Sequence, residues 1–105
     1  LSKWNVSKVT KMENMFWGCK EFNSDLSNWD VSNVTDMNYM FHDCTAFNQP
    51  LEKWNVSSVT KMYFMFSGCS VFNQRLEKWK LREGADTENM FIGCKALEQK
   101  PSWYK

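Results

Sequence analysis

The sequence contains few of the residues that metal and catalytic sites need, and it has no long apolar run. Its 105 residues include one histidine, His42, and no C-x-x-C pair. Structural zinc sites need closely spaced Cys and His ligands, so the sequence predicts no bound metal. No apolar run approaches the ~20 residues of a membrane span, so we expect no membrane insertion by this segment.

A surplus of charge of one sign is also missing. The chain has 13 basic and 12 acidic residues, which give a formal net charge of +1. Nucleic acids and anionic membranes need clustered basic charge, so this balance argues against a nucleic-acid partner. The sequence also has no glycine-rich phosphate loop, and we expect no cofactor.

The scarcity of histidine bears on catalysis as well. A nucleophilic Ser or Cys needs a neighbouring base. His42 stands where other parts of the sequence have Trp17, Ser67 and Ile92, at a position that we expect to face outward. The sequence therefore predicts that the protein is not an enzyme.

What the sequence does have is a repeat of 25 residues, which all four cysteines, four of the six tryptophans and one set of phenylalanines follow. Repeats of about 20–50 residues indicate a solenoid, in which each unit buries its apolar face by stacking on its neighbours. We therefore expect one solenoid over residues 1–105, with units 1–25, 26–50, 51–75 and 76–100. The cysteines are Cys19, Cys44, Cys69 and Cys94.

Each unit divides into two patterns. The first is L-x-x-W-x-V, in which Trp and Val are two residues apart and would share one side of an extended segment, which predicts a short strand in a parallel ladder. The second is the spacing of Met12, Met15, Phe16 and Cys19, which is typical of an amphipathic helix. Thr10 precedes this stripe where a helix cap would stand. The predicted fold class is an α/β repeat of four units, each a short parallel-ladder strand plus a short helix.

The consensus W-N-V-S-x-V-T-x-M-x-x-M-F-x-G-C-x-x-F-N-x-x-L recurs at Trp4–Leu26, Trp29–Leu51 and Trp54–Leu76. It resembles the BspA-like leucine-rich repeats, in the variant found in surface lipoproteins of mycoplasmas and other microbes. The resemblance implies a leucine-rich-repeat-like solenoid, on the cell surface or extracellular, that acts in adhesion or protein–protein contact. It implies no catalytic residues.

The two ends of the repeat differ. In the fourth unit Arg82, Glu83, Gly84 and Ala85 replace the consensus S-x-V-T, so 76–105 reads as a degenerate C-terminal capping unit. Leu1 starts a regular unit with nothing to cover its outer face. We therefore expect the chain to be a fragment of a longer protein. Either an N-terminal cap is missing or that face meets another molecule.

Two sets of residues that recur every 25 positions, the cysteines and a set of asparagines, have a structural explanation. The rung spacing of a ladder, about 4.7–4.9 Å, does not exclude disulfides between the four cysteines, although buried free thiols are the preferred interpretation. Asn23, Asn48 and Asn73 each follow a Phe that recurs at the same position of the unit. We expect these Asn side chains to hydrogen-bond the backbone of adjacent units.

Two surfaces are candidates for binding. One is an aromatic strip on the helical side, where the alternative is a ridge that only packs over the core. The other is the outward side of the strands, which could equally be a solvated surface. The strip contains Trp17, Tyr39, His42, Tyr63 and Phe64, and the strand face contains Lys3, Asn5, Asn28, Asp30, Lys53, Asn55, Lys78 and Lys80.

The sequence thus predicts a non-catalytic interaction or adhesion module, displayed on a surface, that binds a protein or glycan through one of these two surfaces. The alternative is a structural subunit or stalk segment that self-associates by end-to-end stacking through the uncapped N-terminal rung.

Overall fold

The computed structural model describes all 105 residues and contains no α-helix. Its β structure consists of three isolated parallel bridges, from Lys11 to Asp36, from Asp36 to Lys61 and from Lys61 to Asp86. The predicted α/β fold class, a leucine-rich-repeat-like solenoid with a strand and a helix in each unit, is therefore wrong. The molecule is a stack of 25-residue rungs built from turns, and rungs 1 to 4 comprise 1–25, 26–50, 51–75 and 76–100.

Two left-handed residues in each rung prevent the predicted helix. In rung 1 these residues are Asn14 and Gly18, with φ of 62° and 70°, whereas every residue of a right-handed helix needs a φ near −60°. Asn14 is the third residue of a turn closed by the bond from the Met15 N–H to the Met12 carbonyl. Gly18 has the same place in the next turn. The later rungs repeat both features at Tyr39 and Asp43, Phe64 and Gly68, and Asn89 and Gly93.

Consecutive four-residue turns explain why the sequence resembled a helix. Met12–Met15 is followed directly by Phe16–Cys19, and each turn returns the chain to the same side. The first and last residues of both turns therefore face the core, which reproduces the i, i+3, i+4, i+7 spacing of an amphipathic helix.

The predicted strand and the predicted helix cap are also absent. The Trp4 N–H donates to the Leu1 carbonyl at 3.0 Å, so the L-x-x-W segment is a closed turn rather than an extended strand. The expected caps behave differently as well. The Thr35 hydroxyl donates to the carbonyl of Thr10 one rung away, at 3.2 Å, and so joins two rungs instead of capping a helix.

A directional ladder of backbone hydrogen bonds joins the rungs. The N–H groups at residues 12, 14, 16 and 18 donate to the carbonyls at residues 36, 38, 40 and 42, at distances of 2.7 to 3.0 Å. The intervening N–H groups at 15, 17 and 19 bond within their own rung. Rungs 2 and 3 donate to their successors in the same way. The ladder and the turns together therefore pair most of the N–H groups of this segment with carbonyls, without a helix or a sheet.

Side chains at equivalent positions form columns through the single core of 26 buried residues. Phe16, Phe41 and Phe66 stack nearly parallel, with ring centroids 5.6 and 5.5 Å apart. The Trp column adds polar contacts, since the indole N–H of Trp54 donates to the carbonyl of Leu26 at 2.9 Å. Each rung thus completes the burial of its neighbour.

The two ends of the stack are covered differently. At the C-terminal end Trp103 stacks on Trp79 with centroids 6.1 Å apart, and its indole N–H donates to the Leu76 carbonyl at 2.8 Å. At the N-terminal end Trp4 is 58% exposed, whereas Trp54 is 3% exposed. The last five residues therefore imitate the start of another rung, and the outer side of rung 1 is exposed in the structure.

Replacing Trp54 with Phe should lower the free energy of unfolding by about 1–3 kcal/mol, because it removes a buried hydrogen bond and leaves a space in the core. Trp4→Phe is the matched control, since the indole N–H of Trp4 has no acceptor. We expect that variant to change stability by no more than about 0.5 kcal/mol. Urea unfolding followed by circular dichroism measures both, and equal losses would contradict this account of the Trp column.

Candidate interaction surface

The structure brings all five residues of the predicted aromatic strip together, and we call this surface the aromatic ridge: Trp17, Tyr39, His42, Tyr63 and Phe64. The Trp17 ring lies 4.8 Å from that of Tyr39 and 4.5 Å from that of His42, measured between centroids. Tyr39 and Phe64 stack at 5.1 Å with an interplanar angle of 9°. The ridge is therefore continuous across three rungs.

Backbone conformation sets the position of the two central rings. Tyr39 and Phe64 occupy the left-handed turn position, with φ of 57° and 58°. In the two outer rungs the same position holds Asn14 and Asn89. Asn adopts this conformation readily, whereas an aromatic residue there is strained by about 1–2 kcal/mol. The ridge thus places two of its aromatic rings where the backbone disfavours them.

The ridge is accessible along its length. Trp17 is 50% exposed and the other four side chains are partly exposed. Ile92, at the position of Trp17 in rung 4, is 54% exposed. Aromatic side chains with this accessibility are suited to contact with another macromolecule.

The ridge has a carboxylate at its edge that the sequence analysis missed. Asp43 Oδ2 lies 3.3 Å from Nε2 of His42, and the Asp43 side chain is half exposed. Asp43 replaces the glycine that the other rungs have at this position, and it keeps a φ of 59°. Its carboxylate lies beside Gly68, where a Cβ would collide with it. The departure from the G-C pair was the signal that could have identified this residue.

The rings of the ridge do not form one plane. Trp17 and His42 are inclined by 56°, and Tyr39 and Tyr63 meet edge to face at 89°. The exposed surface of the ridge is therefore uneven. Such relief suits side chains of varied shape more than a single flat ligand.

The second predicted surface is exposed, but it contains no strand. It consists of turns in which Asn5, Asp30 and Asn55 accept the N–H of the Ser two residues further on, at 3.0 to 3.1 Å. Hydrogen bonds from the Ser32 hydroxyl and N–H lower the pKa of Asp30. The description as a strand face is wrong, and three of its polar side chains hold local turns. Its eight exposed residues are Lys3, Asn5, Asn28, Asp30, Lys53, Asn55, Lys78 and Lys80.

The Asn column bonds between rungs as predicted. Oδ1 of Asn23 accepts the N–H of Asn48 at 2.8 Å, and Oδ1 of Asn48 accepts that of Asn73 at 2.9 Å. Glu98 follows in rung 4 and ends the column. A cleft of about 440 Å³ opens there, with a largely polar lining that includes Arg75 and Lys100. The column is therefore structural, and the cleft marks its end.

The four cysteines are free thiols, and the interpretation as buried free thiols is confirmed for Cys44, Cys69 and Cys94 but not for Cys19, which is exposed. The Cys44 thiol donates to the carbonyl of Phe16 at 2.9 Å, and Cys69 and Cys94 repeat this contact one rung further on. Burial raises the pKa of Cys44 to about 12 and that of Cys94 to about 11. Cys19 is the exposed member of the column.

Two further structural findings concern metals and membranes. No group of three or more His, Cys, Asp or Glu side chains is arranged to hold a metal ion. The structure has no helix with the length and apolar character that crossing a bilayer requires.

The 25-residue rungs and their columns extend through nearly the whole chain. The sequence pattern of one known family matches the chain over nearly the same length. The family described as Mycoplasma protein of unknown function, DUF285, matches residues 1–104. The chain belongs to the DUF285 family. Comparison with the curated proteins and with the solved structures found no match. Membership in DUF285 agrees with the mycoplasma part of the predicted resemblance, but it does not support the BspA-like leucine-rich repeats specifically.

In the native DUF285 chain, we expect a thiol reagent at pH 8 to modify Cys19 alone, because the other three thiols are buried and hydrogen-bonded. Unfolding in guanidinium should expose all four. Counting the reacted thiols by mass spectrometry tests this, with Cys19→Ser as the control that should leave no rapidly reacting thiol. Rapid modification of Cys69 in the native chain would contradict the burial of the column.

Proposed function

We propose that this DUF285 chain is a non-catalytic interaction module that binds a partner protein through the aromatic ridge. The observation that carries the proposal is the pair Tyr39 and Phe64, whose rings are partly exposed although their backbone is strained. Strain retained at an accessible surface is a reason to infer function there.

The energetics argue against a purely structural role for the two central rings. Stacking of Tyr39 on Phe64 contributes about 0.5–1.5 kcal/mol beyond burial. The left-handed conformation costs about 1–2 kcal/mol for each aromatic residue. Asn at the same position in rungs 1 and 4 avoids that cost. The strain therefore offsets much of what the stacking and the partial burial of the two rings contribute to stability, which favours a role in contact.

The relief of the ridge favours a protein over a glycan. Sugars stack on flat aromatic faces, but the Trp17 ring is tilted by 33° against Tyr39 and by 56° against His42. Apolar side chains from a partner would fit between such rings, and aromatic residues dominate the energetics of protein interfaces. Asp43 and His42 would form part of the polar rim.

The surroundings of His42 support a contact role over a catalytic one. Its ring packs on Trp17 and Tyr39, and its Nε2 lies beside the Asp43 carboxylate. A catalytic base needs a hydroxyl, thiol or water to deprotonate. The contacts of His42 are those of a residue within an aromatic surface.

The proposed location is the cell surface or the extracellular space. The support is the resemblance of the repeat to those of microbial surface lipoproteins, together with membership in a family described from Mycoplasma. A surface location would make the ridge accessible to proteins outside the cell.

The double variant Tyr39→Asn/Phe64→Asn tests the ridge, because Asn is the residue that the outer rungs use at this position. We expect stability within about 1 kcal/mol of the unchanged chain, since the relieved strain offsets the stacking and the partial burial that the two rings lose. Peptides selected from a random display library on the full chain should bind this variant at least about tenfold more weakly.

Lys53→Ser/Lys78→Ser, on the exposed turn surface, is the matched control and should keep peptide binding. A large stability loss in the Asn variant with unchanged peptide binding would show that the ridge only packs over the core. Binding to a glycan panel, with no peptide selected, would overturn the choice of a protein partner.

A further inference from the structure

The carboxylates at and beside the aromatic ridge have no basic residue among them. The ridge and the Asp43 at its edge occupy four outward positions, which in rung 1 are residues 13, 14, 17 and 18. Across the four rungs these positions contain three carboxylates and no lysine or arginine, and the carboxylates are Glu13, Asp43 and Glu88. The whole chain, by contrast, has 13 basic and 12 acidic residues. The ridge is therefore negatively charged within a nearly neutral chain.

No lysine or arginine of the same molecule pairs with these three carboxylates. Glu13 and Glu88 are exposed, and the Asp43 side chain is half exposed. The one ion pair of the structure joins Asp43 to His42. Accessible charges without an internal counterion remain free to pair with a partner of opposite charge.

The neighbouring columns do not reverse the charge of the ridge. On one side, basic and acidic residues alternate along the bridges between rungs and cancel each other: Lys11, Asp36, Lys61 and Asp86. On the other side, the position after the Cys has lysine in the outer rungs only, and the two inner rungs have Thr45 and Ser70 there. The surface as a whole thus remains net negative, and its lysines lie outside the ridge.

Asp43 is the carboxylate joined to the aromatic rings. Its Oδ2 lies 3.3 Å from Nε2 of His42, and the centroid of the His42 ring lies 4.5 Å from that of Trp17. The other three rungs have Gly at the position of Asp43, and Gly adopts the left-handed conformation more readily. The turn therefore does not require this carboxylate.

A carboxylate close to an exposed indole ring is complementary to arginine. The guanidinium group is planar, stacks on aromatic faces and donates two parallel hydrogen bonds to a carboxylate. A lysine ammonium is a point charge without that planar geometry. Trp is also the side chain whose ring attracts a cation most strongly. Trp17 and Asp43 together thus match both the plane and the charge of a guanidinium group.

We propose that the partner of the aromatic ridge is a basic peptide segment of another protein, in which an arginine pairs with Asp43 and stacks on Trp17. Apolar side chains of the segment contact Tyr39 and Phe64. Glu13 and Glu88 attract further basic residues from rungs 1 and 4. The arginine pairing rests on the function proposed for the ridge and adds the chemistry of the partner.

Peptides selected from a random display library on the full chain supply the probe. Arginine should be enriched among them relative to the library, and Asp and Glu should be depleted. The peptide that binds most tightly is then synthesised with its arginines kept or replaced by citrulline, which has a similar shape but no charge. Fluorescence anisotropy should show at least about tenfold weaker binding of the citrulline peptide.

A variant of the chain locates the arginine. Asp43→Asn removes the charge, and Asn tolerates the left-handed conformation. It should weaken binding of the arginine peptide at least about fivefold and leave that of the citrulline peptide unchanged.

Asp30→Asn is the matched control, because it removes a carboxylate from the exposed turn surface. Asn is the residue that rungs 1 and 3 have at this position, as Asn5 and Asn55. The control should keep the affinity for both peptides. Urea unfolding of the two variants shows whether the fold is retained, and the citrulline peptide tests the pairing on the unchanged chain.

The outcomes separate the arginine pairing from the function proposed for the ridge. If Tyr39→Asn/Phe64→Asn weakens binding while Asp43→Asn and citrulline do not, the ridge binds a protein but the arginine pairing is wrong. Enrichment of Asp or Glu among the selected peptides would overturn the pairing as well. Selection of no peptide, or of peptides that bind the double variant equally well, would overturn both.

Discussion

The directional hydrogen bonds between rungs are the constraint on which the rest of this structure depends. Each rung donates four N–H groups to the next, and this is feasible because left-handed residues at two positions turn those groups along the stack. The same residues prevent a helix, whose N–H groups would all bond within the segment. Each turn has too few internal hydrogen bonds to be stable alone, and the bonds to the adjacent rungs hold it in place.

The fixed register between rungs produces the columns. When backbone groups pair at an interval of about one repeat, residues 25 apart lie above one another, and the Phe, Trp, Cys and Asn columns follow. The columns differ in the contacts by which they join adjacent rungs. Phe rings stack, Trp and Cys donate to carbonyls of the preceding rung, and Asn side chains accept from the following one. The Phe, Trp and Cys columns cross all three internal interfaces, and the Asn column crosses the first two.

The proposed binding properties arise where the repeat is interrupted. The aromatic ridge exists because rungs 2 and 3 have rings at a position where the outer rungs have Asn, and Asp43, in place of Gly, adds a carboxylate at its edge. Regular positions maintain the fold, and the irregular ones distinguish one surface of this chain from another.

The sequence by itself determined the repeat length, the residues of the core and the composition of the columns, because equivalent residues recur every 25 positions. It also predicted that the five ridge residues lie together, since they occupy neighbouring outward positions. It could not decide between a helix and successive turns, because both return Met12, Met15, Phe16 and Cys19 to one side. Only the tertiary structure decided this, since left-handed φ at Tyr39 and Phe64 is maintained by bonds to adjacent rungs. The exposure of Trp4 and the closure by Trp103 were likewise decided by what stacks on each end.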